Sequence, residues 1–167
     1  DVKLANGTTA PLNYACDGFH RPNASVALGL TSVVSLNLNL PHSPPRSVTV
    51  LGATSTIYAS AKALYLANAH YWPGSNTVGS RNHTYLHKFA TTGVKEARYV
   101  ASGGVDGALL NQFSMGEHKD HLQVATTIRR VVDTQGWNQN QTTSRVTILK
   151  ETTVRLVETG RTKELAK

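Results

Sequence analysis

The chain has 167 residues, of which 40% are hydrophobic and only 16% charged, and it carries a net charge of +7. That length supplies one domain's worth of core. A single cysteine, Cys16, excludes an intrachain disulfide, and no apolar run approaches the roughly 18 residues of a bilayer-spanning helix.

Residues 1–30 hold Asn6-Gly7, Pro11, Asp17-Gly18 and Pro22 among few periodic apolar positions, which predicts an extended segment. Val33–Asn39 reads as a strand in which Leu36 and Leu38 alternate with Asn37 and Asn39, so one face is expected to be buried. Pro41–Pro45 must turn, because proline donates nothing to a ladder, and Ser47–Gly52 is the return strand. Residues 31–53 thus form a half unit.

A first full unit is predicted over 56–105. Thr56–Ser60 and Ala63–Tyr71 pair as a hairpin with Tyr58, Leu64 and Leu66 inward. A polar loop covers 72–83, and strands Tyr85–Phe89 and Val94–Ser102 follow. Gly103–Gly107 reads as the connector to a second unit over 111–160. There the strands are Gln112–Met115, His121–Ile128, Arg145–Lys150 and Thr153–Thr159, and 133–143 is a loop rich in Asn, Gln, Gly and Thr. Thr, Val and Tyr dominate the periodic stretches, and their stiff or bulky side chains favour pleated surfaces over helices.

The two units echo each other. Ala97–Gly103 matches Val154–Gly160 at an offset of 57 through Arg98/Arg155, Val100/Val157 and Gly103/Gly160. Leu64–Ala67 matches Leu122–Ala125 at an offset of 58. A strand-built repeat near this length marks a propeller blade, with Gly103 and Gly160 at corresponding corners. The fold class expected is all-β: a partial β-propeller of about two four-stranded antiparallel blades plus a half blade.

Leu109–Met115 followed by Leu122–Thr127 resembles the signature of bacterial and archaeal secreted proteins that carry a C-terminal β-propeller domain distantly related to WD40 repeats. Thr56–Ser60 with Leu64–Ala67 resembles the preceding blade of that domain. Cys16-Asp17, Thr31–Leu36 and Glu164–Lys167 fit as well. The resemblance implies an exported or envelope-associated module with no assigned activity, and it offers no catalytic residue to carry over. It also implies that 1–167 is a fragment of a larger propeller. Open blade edges then predict self-association, or disorder near Asp1–Pro22.

Candidate sites are few. Tyr71 and Trp72 sit in the first long loop, and Trp137 and Asn138 in the second. Aromatic and amide-rich loops stack on sugars or anchor a partner. The other reading is that each Trp caps its own blade's core. His118-Lys119-Asp120-His121 brings two imidazoles and a carboxylate together, but no further ligand stands nearby, so a solvated turn is expected and no metal or cofactor. Cys16 near His20 lacks a general-base scaffold. Asp17, Asp106, Glu117 and Asp133 are scattered, and no Gly-x-Ser-x-Gly, His-Glu-x-x-His or Walker pattern occurs, so no catalytic residue is nominated. Sequons at Asn6, Asn23, Asn82 and Asn140 matter only if a eukaryote secretes the chain. The basic excess is spread along the chain, with eight basic against five acidic residues in 1–117 and nine against five in 118–167, which argues against nucleic acid as a partner.

The function these features imply is a non-catalytic extracytoplasmic module that binds a protein or a glycan, or scaffolds a neighbouring domain. The alternative is a propeller hydrolase or lyase acting on polysaccharide. No polar triplet recurs at matching positions of the two units, which favours binding.

Overall fold

The computed structural model describes residues 2–3, 6–10, 16–23, 26–40, 42–70, 82–92 and 96–166. After a short ribbon of β1 (Val2–Lys3) and β2 (Thr9–Ala10), three β-sheets follow in chain order. The first joins β4 (Leu30–Ser35) to β5 (Arg46–Leu51) antiparallel and adds β3 (Phe19–His20) parallel to β5. The second is an antiparallel meander of β6 (Thr56–Ala59), β7 (Ala63–His70), β8 (His83–Ala90) and β9 (Arg98–Asp106). The third runs β10 (Met115–His118), β11 (His121–Thr134), β12 (Trp137–Glu151) and β13 (Leu156–Arg161), with β14 (Leu165–Ala166) also pairing with β12. No α-helix occurs among the described residues. The all-β architecture expected from the sequence is the one found.

The second sheet is covered on both sides. Alternation along β7 sends Leu64 and Leu66 toward the first sheet, where they meet Val33, Val48, Val50 and Phe89. Ala63, Tyr65 and Ala67 point the other way and join Leu86, Ala101 and Val105 against Leu122, Val124, Leu149 and Leu156 of the third sheet. Equivalent strands lie side by side. The Glu117 amide of β10 donates to the Tyr58 hydroxyl of β6 at 3.0 Å. The Ser102 amide of β9 donates to the Val154 carbonyl, just before β13, at 3.2 Å. Sheets stacked first strand on first and fourth on fourth are the arrangement of successive blades.

Several sequence expectations need correction. Residues 133–143 are not a loop. β11 and β12 stay paired from His121/Lys150 to Thr134/Trp137 and close on Gln135-Gly136. Both turn residues have positive φ, at 56° and 80°, the geometry that suits a right-twisted hairpin. The Asp133 carboxylate accepts from the Gly136 amide at 2.8 Å and secures the turn. Gly103 and Gly104 are not connector residues but lie inside β9. A Cβ at Gly103 would stand 2.5 Å from the Leu156 carbonyl oxygen, and one at Gly104 would strike His83. These glycines make room for neighbours, and the actual corner is Gly107 at φ +98°.

Gly103 and Gly160 share the fourth strand but not their surroundings. The nearest atom to a Cβ at Gly160 would be Ile148 Cδ1 at 3.9 Å. Gly103 pairs with Leu86 and Gly160 with Ile148, which are not equivalent rungs. The correspondence expected of them therefore fails, because the third sheet presses only on Gly103. Gln112–Ser114 forms a 3-10 turn rather than a strand, capped by Asn111, whose side chain accepts from the Phe113 amide at 2.9 Å. The first strand ends at Ser35. Beyond it the Asn37 side chain accepts from the Asn39 amide at 3.0 Å, so alternation stops and Leu36, Leu38 and Leu40 are exposed rather than buried.

Candidate functional site

The seam between the second and third sheets holds a buried ionic cluster. Lys88 stands in β8 among Leu86, His87 and Phe89, and its alternation points it at the third sheet. Its Nζ lies 2.9 Å from Glu151 Oε2 and 3.3 Å from Glu117 Oε1. The Tyr65 hydroxyl donates to Glu117 Oε1 at 3.0 Å, and the Ser60 hydroxyl also donates to Glu117. The Lys88 and Glu117 side chains are only 10% and 7% exposed. Burial alone would discharge both. For Lys88 that penalty is outweighed by Glu151, Tyr65 and Glu117, which raise its pKa above the ordinary lysine value. For Glu117 burial is outweighed by Ser60, Tyr65 and Lys88, which hold it below the usual carboxylate range. Both are held in their charged forms, and the cluster fastens the two sheets together.

A second chain of charges crosses the same seam further along. Asp106 lies 3.4 Å from His83 Nδ1 and 3.3 Å from Arg145 Nη2. Arg145 Nη1 lies 3.6 Å from Glu164, which also binds Arg130 and accepts from the Thr143 hydroxyl at 3.1 Å. Each carboxylate here is held by at least one guanidinium.

Between the first and second sheets the chemistry differs. His87 is 1% exposed, and its Nδ1 shares a 2.9 Å hydrogen bond with the Tyr99 hydroxyl. Its Nε2 meets no partner among the described residues. The His20 ring stacks on Tyr99 at 3.7 Å. Burial, aided by nearby His20, pushes the His87 pKa down to about 4. Above lies a cleft of about 340 Å³ lined by Asp17, His20, Arg46, Glu96, Arg98 and Tyr99, with Arg46 and Glu96 paired at 3.0 Å. His20 is thus engaged by Tyr99, and its turn neighbour Cys16 opens a 3-10 turn.

Of the residues nominated from the sequence, Tyr71 and Trp72 lie outside the described residues. Trp137 opens β12 at the end of the long hairpin and is 77% exposed. It does not cap its blade's core. Asn138 follows it, opposite Asp133. The hairpin runs past the last rung shared with β14, at Thr143, as a two-stranded arm. His118 and His121 pair across the Lys119-Asp120 turn, and His121 Nδ1 lies 2.8 Å from the Lys119 carbonyl. No group of three or more potential metal ligands gathers among the described residues. Sequence reading missed the Lys88–Glu117–Glu151 cluster. Its one signal was a lysine inside a strand that holds no other Lys, Arg, Asp or Glu.

The family model described as a beta propeller domain matches residues 4–167. No curated protein and no solved structure matches the chain.

Proposed function

The chain belongs to the beta propeller domain family, and from that premise we propose that it is a non-catalytic binding module working outside the cytoplasm, engaging a protein or a glycan through the exposed end of its β11–β12 hairpin. One contrast carries the reading. The carboxylates between the sheets are tied to cations, while Trp137 stands exposed at the end of an arm. A glycan-cleaving enzyme needs two carboxyl groups able to take and give protons across an open cleft. Glu117, Asp106 and Glu164 are each held in ion pairs. An exposed tryptophan, by contrast, is the side chain most often found anchoring an interface.

The test compares the native chain with Trp137→Ala on immobilised glycans and purified extracellular proteins. Affinity for a ligand of the native chain should fall about tenfold or more. A panel without any ligand, or binding untouched by the substitution, removes the proposal. The extracytoplasmic placement is supported by the likeness of 109–127 to secreted bacterial and archaeal proteins, and fractionation of the source cells tests it. Among the described residues no helix is long and apolar enough to cross a membrane.

Self-association belongs to the same proposal. Leu30 and Val34 alternate on the side of β4 away from the second sheet and are exposed. Val146, Val157 and Leu165 are exposed on the third sheet. Unpartnered apolar surface of this kind drives association. Light scattering should give a mass above that of one chain, reduced by Leu30→Asp with Val34→Asp. A monomeric native chain rules it out.

A further inference from the structure

We infer that the β11–β12 arm is a binding strip for neutral, unbranched polysaccharide. This deepens the binding-module proposal and rests on it. The observations are the register of the arm, its exposure and its charge. Trp137, Gln139 and Gln141 alternate along β12 and so share one face of the ribbon, and all three are exposed. Successive same-face positions on a strand stand roughly 6.7 Å apart, so the row is about 13 Å long. That suits an extended chain of repeating units better than a single compact ligand.

The chemistry of the row matches sugar. An indole face stacks on the apolar C–H side of a pyranose ring, and carboxamides both donate to and accept from hydroxyl groups. Across the ladder, Val132 stands opposite Gln139 and Arg130 opposite Gln141. Arg130 is already paired with Glu164. The face therefore offers no unpaired charge, which removes the counter-charge that an acidic polysaccharide would need. Around Trp137 on that face stand Thr134, Gln139 and a single apolar residue, Val132, too little apolar cover to shield a protein hot spot from water.

The experiment is affinity electrophoresis of the chain through gels holding a soluble neutral glucan, a neutral xylan or polygalacturonate, at low and high salt. The native chain should be retarded by at least one neutral polymer, equally at both salt levels. Trp137→Ala should weaken retardation about tenfold, Trp137→Phe should keep most of it, and Gln139→Ala with Gln141→Ala should weaken it about threefold. An unchanged circular dichroism spectrum and melting temperature in each variant keep the readout free of misfolding. Retardation by no neutral polymer, by the polyanion alone and only at low salt, or equally by native chain and Trp137→Ala, each overturns the strip. If a purified protein ligand is instead lost in Trp137→Ala while no glycan binds, the strip is wrong and the binding module stands. If neither class of ligand binds, both fall.

Discussion

One hairpin supplies both part of the packed seam between two sheets and an exposed ribbon. Near its open end, β11 and β12 put Leu122, Val124 and Leu149 into the core against the second sheet. Toward its turn the same ladder carries Gln139, Asn140, Gln141 and an exposed Trp137. Backbone pairing is continuous through both halves. What changes is the cover: one half has a sheet packed on it, while the other, Val131 and Val132 apart, faces solvent toward its turn. Hydrogen-bonded pairing alone therefore does not tell whether a stretch serves stability or recognition. A two-stranded ribbon is marginal by itself, so the buried half anchors the exposed one.

The sharpest break in that comparison is Glu117→Ala. It leaves the Lys88 ammonium in a buried seam with Glu151 as its remaining carboxylate, and should cost about 3 kcal/mol in denaturant unfolding. Trp137→Ala, in the exposed half, should stay within about 0.5 kcal/mol of the native chain. Equal losses would show that the arm is structural.

Acid tests the other seam. Unfolded, His87 takes a proton near 6.5; folded, it does so only near 4. Between those values the unfolded chain holds the extra proton. Stability is therefore complete above about pH 6.5 and lower by about 3 kcal/mol once the pH reaches about 4. Unfolding midpoints measured across that window should fall more shallowly in His87→Gln. The Glu117 contribution is lost only at lower pH, since its pKa is held below the usual carboxylate range. A native curve flat down to pH 4 would contradict the buried, neutral imidazole.

Smaller still is the difference between the two glycines. Gly103→Ala should cost about 2 kcal/mol, because the new methyl meets backbone of the next sheet rather than a yielding side chain. Gly160→Ala should be neutral or slightly stabilising. Similar costs at the two sites would restore the equivalence that their sequence spacing suggests.

How much of this was legible beforehand follows from the range over which each signal acts. Alternation is local, so β5, β6 and β7 were placed within a residue or so of their ends. The 58-residue spacing of Leu64–Ala67 and Leu122–Ala125 extends in the structure to the turns before them, since Ala61-Lys62 and Lys119-Asp120 both close two-residue hairpins. The arm was missed because Asn, Gln and Gly are loop residues by composition, whereas Gln135-Gly136 uses its glycine to hold a hairpin together. Gly103 and Gly104 were misread for a related reason: a missing side chain serves a crowded strand as well as a turn. Leu36 and Leu38 alternate as a strand would, but the Asn37 side chain turns the chain first. The Lys88 cluster joins residues 29 and 63 positions apart, beyond any local pattern. For the candidate site, Trp137 was visible as a residue type, but its exposure depends on the path of the ladder.

One surface contact carries a meaning beyond its strength. Lys62 and Asp120 occupy the same place in successive hairpin turns, and they touch at 2.9 Å. Fully solvated, such a pair adds little to folding. Yet opposite signs at matching addresses make the two blades non-interchangeable: a copied lysine turn would confront lysine with lysine. The stack thus has a direction written in charge at its rim.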